Sequence, residues 1–251
     1  MDLLALSPLQ WALAGLAAYM IGLSKSGLSG LGMVTVVLMA VVMRGHEMAS
    51  TGVVLPLLIC GDLMAVRAFR AHVVWRHVLR ILPPALVGVV IGYWIMQVIS
   101  NVSFKPLIGW IVLVLTLLQV ARQRFPGSFR QVPHHPAFAW FMGGGAGVTT
   151  MMANAAGPIM SLYLLAVELP KMQLVGTAAW YFLLVNLMKV PFSVNLGLIH
   201  PQSLLFNAIL VPLVAIGILS GRWVIHRINQ RLFEQLLLWF AAVSAIYLIL
   251  F

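Results

Sequence analysis

Gly22-Leu23-Ser24-Lys25-Ser26-Gly27-Leu28-Ser29-Gly30-Leu31-Gly32 sets glycines, hydroxyls and one lysine in the middle of an apolar run. The run extends from Pro8 to Met43, about 36 residues, whereas a helix needs only about 20 to cross a bilayer. Each glycine in a helix interior costs roughly 1 kcal/mol against alanine, and the spacing of Gly22, Gly27, Gly30 and Gly32 predicts a helix broken in two. The stretch reads as two short membrane helices meeting at an irregular, polar turn.

The rest of the chain agrees with that reading. Of 251 residues, 62% are hydrophobic and 8% charged, with mean hydropathy +1.04, which lies outside the range of soluble domains and defines a polytopic membrane protein. The formal charge of +10 comes from arginines in short loops between apolar segments, not from a basic face with interleaved aromatics, so nucleic acid is not an expected partner. Cys60 is the single cysteine and reads as a packing residue. Met1-Asp2-Leu3-Leu4 has neither the basic start nor the small-residue cleavage site of a signal peptide, so Trp11 to Leu23 is expected to be retained as structure.

Eight hydrophobic segments follow one another: Pro8–Met43, Glu47–Phe69, Val78–Val98 and Phe104–Val120, then Ala137–Val167, Leu174–Leu196, Leu204–Val224 and Phe233–Phe251. Arg122 to Pro136 is the longest polar stretch and divides the chain into a first membrane repeat over 1–121, a loop over 122–136 and a second repeat over 137–251. Gly52, Asp62-Leu63-Met64 and Val66 recur 124 positions later as Gly176, Asn186-Leu187-Met188 and Val190. Further on the offset is 129, and Pro83, Gly88, Gly92, Trp94, Phe104 and Trp110 match Pro212, Gly217, Gly221, Trp223, Phe233 and Trp239. Internal duplication of this kind is a signature of secondary transporters.

Loop charge orients the halves. Arg67, Arg70, Arg76 and Arg80 flank the loop between the second and third segments, and the next loop, Gln97 to Ser103, carries none; in the second half, Asn195 to Ser203 has only His200, and Arg222, Arg227 and Arg231 follow. With arginines on the cytoplasmic side, equivalent loops face opposite sides and the repeats are inverted. Inversion needs an odd number of crossings per repeat, so the overlong first segment of each half is expected to enter and return as a hairpin. The expected fold is an all-α membrane protein of two inverted repeats, each a broken helical hairpin plus three transmembrane helices, 8–10 membrane helices in all, with both termini outside.

The counterpart of the opening stretch is Gly143-Gly144-Gly145-Ala146-Gly147-Val148-Thr149-Thr150-Met151-Met152-Ala153-Asn154-Ala155-Ala156-Gly157-Pro158. Irregular backbone at membrane depth is tolerated only where protein buries it or a wet cavity borders it. Two inverted hairpins would bring their tips together near the midplane, where backbone N–H groups and the positive ends of short helices suit an anion. Lys25 at that depth either joins an anion site or snorkels to an interface. Asp62, the one acid well inside an apolar segment, is either a coupling site or the partner of Lys25 or Arg67, and the ion pair is favoured because its repeat-mate Asn186 cannot titrate. Lys189, near Asn186 on one helix face, either adds positive potential or snorkels.

Gly22-Leu23-Ser24-Lys25-Ser26-Gly27, the Thr51-Gly52…Pro56…Gly61-Asp62 run, and Asn154-Ala155-Ala156-Gly157-Pro158 followed by Gly176-Thr177…Asn186…Lys189-Val190-Pro191 together resemble the sulfite exporter TauE/SafE family, from about Leu13 to Leu250. The resemblance implies a permease of the bacterial cytoplasmic membrane for sulfite or small organosulfonates such as sulfoacetate. It makes Ser24, Lys25, Thr149, Asn154, Gly157 and Asn186 candidates for the anion path, with Ser26, Gly27 and Thr150 beside them. By residue chemistry, backbone N–H groups, Ser24, Thr149 and Asn154 would hold the oxyanion and Lys25 would supply charge. Import, another anion such as thiosulfate, sulfate or a carboxylate, and a role in membrane-complex assembly are the alternatives. The seven histidines fall in or near loops, His134 and His135 side by side, so neither a metal site nor an enzyme is expected. No cofactor is expected; the implied partners are a small anion and the lipid bilayer, with homo-oligomerisation left open.

Overall fold

The structure is a computed structural model that describes residues 5–26, 31–125, 136–167 and 169–224, with scattered positions between 235 and 250. These residues are helical, without strands. In chain order the helices are α1 (Pro8–Lys25), α2 (Leu31–Val42), α3 (Glu47–Phe69), α4 (Trp75–Val98), α5 (Asn101–Arg124), α6 (Pro136–Ala153), α7 (Gly157–Ala166), α8 (Lys171–Asn195) and α9 (Pro201–Val224). Five are long and apolar enough to cross a membrane, namely α3, α4, α5, α8 and α9, and the protein is a multi-pass membrane protein. Gly27, most of the loop with His134 and His135, Arg227, Arg231 and most of the segment from Phe233 onward lie outside the described residues.

Both overlong segments break and return. Ser7 caps α1, accepting from the Gln10 amide while the Gln10 side chain accepts from the Ser7 N–H. The Gln10 amide nitrogen also donates to Val42 O at 3.1 Å, so the end of α2 lies beside the start of α1. In the second half Phe138, near the start of α6, stacks on Tyr163 of α7, with ring centroids 6.2 Å apart. The twelve residues of α2 and ten of α7 rise only about 18 Å and about 15 Å, short of the ~30 Å hydrocarbon core.

Gly27 and Gly30, two of the glycines expected at the first break, lie outside the described residues, and the other glycines of these stretches stand inside helices. Gly22 lies inside α1, Gly32 inside α2, and Gly143, Gly144, Gly145 and Gly147 inside α6. The second break falls at Asn154, whose φ of 52° is left-handed and which stands between α6 and α7. The glycine clusters admit a neighbouring backbone. A Cβ on Gly22 would strike Val214 O and one on Gly217 would strike Tyr19 O, which interlocks α1 with α9; a Cβ on Gly88 would strike Gly144 O and one on Gly147 would strike Ala85 O, which interlocks α4 with α6. Small residues at such crossings are how membrane helices gain van der Waals contact where lipid offers no hydrophobic drive.

The two interlocks match residue for residue. Gly217 meets Tyr19 O and Leu23 N, and Gly88 meets Gly144 O and Val148 N; Tyr19 and Leu23 stand 125 positions before Gly144 and Val148, as Gly88 stands 129 before Gly217. Between them α3 and α8 run antiparallel. Gly52, near the start of α3, admits Leu198 just past the end of α8, and Gly176, near the start of α8, admits Phe69 O and His72 at the end of α3. The Val74 N–H donates to Thr177 Oγ1 at 3.0 Å, and Trp75 packs on Trp180 with centroids 5.0 Å apart, tying the α3–α4 connection to α8.

Gly147→Ala should lower the thermal midpoint of purified protein in detergent by the equivalent of about 1–3 kcal/mol, the usual result of overpacking. Gly32, where a Cβ meets nothing within 4 Å among the described residues, should tolerate alanine or gain up to about 1 kcal/mol from helix propensity. Equal responses at the two positions would remove close helix approach as the reason for Gly147.

Candidate functional site

Asp62 and Asn186 meet where α3 and α8 cross. Glu47 to Asp62 and Lys171 to Asn186 are each fifteen residues, so each side chain sits about 22 Å from the start of its helix, and the helices start from opposite ends. The Asn186 Nδ2 group donates to Asp62 Oδ2 at 2.7 Å. Asp62 Oδ1 faces Lys25 Nζ at 2.6 Å, and the two form an ion pair in which the carboxylate is 0% and the lysine side chain 11% exposed. Lys25 Nζ also stands 5.0 Å from the centroid of the Phe182 ring, within cation–π range.

Lys189 lies on the other side of Asn186. It is 1% exposed, and its three ammonium N–H groups face three neutral oxygens: Asn154 Oδ1 at 2.5 Å, Thr150 Oγ1 at 3.3 Å and Asn186 Oδ1 at 3.5 Å. Asn154 is itself held, since its Nδ2 donates to Thr51 O of α3 at 2.9 Å. One continuous polar chain therefore runs from the end of α1 through α3 and α8 to the break between α6 and α7. It contains two lysines and one carboxylate.

The structure thus brings together Lys25, Asp62, Thr150, Asn154, Asn186 and Lys189. Three other candidates turn away. The Ser24 hydroxyl donates to Ile21 O at 2.7 Å, Thr149 to Gly145 O at 2.8 Å within its own helix, and Ser26 to Ile218 O of α9 at 3.1 Å. Gly157 opens α7 three residues after Asn154, where the positive end of the helix dipole points back toward the break. Phe182 and the Thr51 carbonyl escaped the sequence reading; Phe182 was findable as the residue four before Asn186, on the same helical face.

A buried chain of this composition, on a bundle of membrane-spanning helices with two broken hairpins, is the build of a membrane transporter for a small charged solute. The sulfite exporter TauE/SafE family model matches residues 12–248, and the chain belongs to that family, whose members are membrane transporters of sulfur anions. No curated protein matches the chain.

Removing one member of a buried ion pair strands its partner, at a cost of about 3–5 kcal/mol. Lys25→Gln and Asp62→Asn should each lower thermal stability in detergent, and the double variant should recover most of the loss. Losses that simply add in the double variant would show that the two side chains do not support each other.

Proposed function

We propose that the protein is a uniporter that exports a small sulfur oxyanion, sulfite or an organosulfonate, across the bacterial cytoplasmic membrane, and that it is not an enzyme. The observation that carries this reading is the excess of positive charge in the buried chain. Lys25 is matched by Asp62, whereas among the described residues Lys189 is held only by neutral oxygens. A buried cation without a counterion is costly at this depth, and a permeating anion relieves that cost while it is bound.

The anion is placed beside Lys189, Thr150 and Asn154, close to the start of α7. Lys25 acts through Asp62, which holds Asn186 so that its carbonyl oxygen faces Lys189. The reading includes two inverted repeats, 1–121 and 137–251, joined by the loop 122–136. It is supported by the antiparallel pairing of α3 with α8 and by the matching interlocks of α1 with α9 and α4 with α6. Alternating access follows if the α1–α9 pair and the α4–α6 pair, each of which joins one helix from either repeat, rock against each other about the Asp62–Asn186 contact. Direction follows from the field: with the inside negative, each unit of anionic charge moving outward gains about 2.3 kcal/mol per 100 mV, so export needs no coupling ion.

Efflux of labelled sulfite from proteoliposomes, at imposed potentials of either sign and no pH gradient, tests the reading. Efflux should accelerate when the sulfite-containing compartment is negative and should fall at least about tenfold in Lys189→Gln, given the weight of a buried charge-assisted contact. Flux indifferent to potential would overturn uniport, and normal flux in folded Lys189→Gln would remove that lysine from the site.

A further inference from the structure

We infer that the site balances one negative charge and therefore selects monoanionic oxyanions, hydrogen sulfite or a sulfonate without a second charge, over dianions. The inference rests on the anion site proposed above and narrows its substrate class.

Charge at the site is set by three groups. The Lys25 ammonium and the Asp62 carboxylate cancel each other at 2.6 Å, and Lys189 in its ammonium form, which the three acceptors around Nζ suit, is left over. Its contacts to Asn154, Thr150 and Asn186 are to neutral acceptors, which orient the charge without cancelling it. Among the described residues the other buried carboxylate is Glu47, in the first turn of α3, fifteen residues from Asp62. One anionic charge brings the site to neutrality. A second leaves an unbalanced negative charge in a region of low dielectric, where it is as costly as the unbalanced positive charge it replaced.

The geometry also says where the anion's oxygen goes. All three N–H groups of Lys189 are engaged, so an anion displaces one acceptor. Thr150 and Asn186 are carried within helices α6 and α8, but Asn154 stands at the break, with φ 52° and outside both flanking helices. Its Oδ1 also makes the shortest of the three contacts, 2.5 Å, and so occupies the position nearest the ammonium, which an anionic oxygen would take in its place. Asn154 is thus the neutral stand-in for substrate, and its Nδ2 bond to Thr51 O keeps the side chain at hand when the anion leaves.

The test uses the full chain in proteoliposomes with three probes: methanesulfonate, a permanent monoanion; sulfate, a dianion of similar size; and sulfoacetate, an organosulfonate with a second charge. Methanesulfonate should move with one charge per anion, read as current against tracer flux, and both dianions should move about 50-fold more slowly, the penalty of one unbalanced charge at bilayer depth. Sulfate or sulfoacetate moving as fast as methanesulfonate would overturn the inference and leave anion transport standing. Absence of flux for these probes and for sulfite alike would overturn both readings. Asp62→Asn releases the charge of Lys25, and the folded variant should raise the sulfate-to-methanesulfonate flux ratio at least about tenfold; an unchanged ratio in folded protein would overturn the inference. If that variant does not fold, the wild-type ratio decides.

Discussion

Asp62 is the contact on which the arrangement turns. A carboxylate with no exposure to solvent stands inside the helix bundle only because each of its oxygens is engaged, one by the Lys25 ammonium and the other by the Asn186 amide. Those two partners come from different places, the end of α1, where the first arm of the broken hairpin stops, and the body of α8. The single residue therefore ties α1, α3 and α8 at one point. It also fixes the Asn186 amide, because the nitrogen must face Asp62 and the oxygen must then face Lys189.

Around this polar joint the packing is made by absence of side chains. Gly22 against Gly217 and Gly88 against Gly147 let helix backbones touch, and neither pair leaves room for a methyl group. Contacts of this kind are rigid across their own surface, so α1 with α9 and α4 with α6 behave as two stiff pairs. The joint between α3 and α8 is different in kind. It is polar at its centre, with ends closed by single glycines, Gly52 against Leu198 and Gly176 against Phe69 and His72. Hydrogen bonds can be exchanged with a solute in a way that interlocked backbones cannot, so the joint is the more adaptable of the two kinds of contact.

Much of the fold was legible because bilayer depth is written in hydropathy. The boundaries of α3, α4, α8 and α9 fall within a few residues of the apolar segments, and the overlong segments flanking Lys25 and Asn154 break as their length requires. Glycine was misread at Gly22, which was expected at a break and stands inside α1, since in water a glycine in a helix is a weakness, but among membrane helices it is the place where another helix touches. The site was half legible. Lysine, aspartate and asparagine within apolar runs mark a candidate site by residue type alone, and Lys25, Asp62, Asn154, Asn186 and Lys189, named on that ground, come together in the structure. Ser24, Ser26 and Thr149 were not separable from Thr150 by type, because hydroxyls in helices commonly donate to a carbonyl on the preceding turn, and only the register of α6 against α8 decides which hydroxyl reaches Lys189.

Positions 62 and 186, related by the 124-residue offset, touch each other, so any difference between them is felt at the centre of the molecule. Two aspartates there would repel at hydrogen-bond distance unless they shared a proton, and the site would then respond to pH. Two asparagines would leave both lysines uncompensated. One of each gives a directional bond: the amide donates to the carboxylate, the carboxylate neutralises Lys25, and the free end of the amide is presented to Lys189. The difference between these two positions therefore sets both the orientation of the chain of hydrogen bonds and the balance of charge along it.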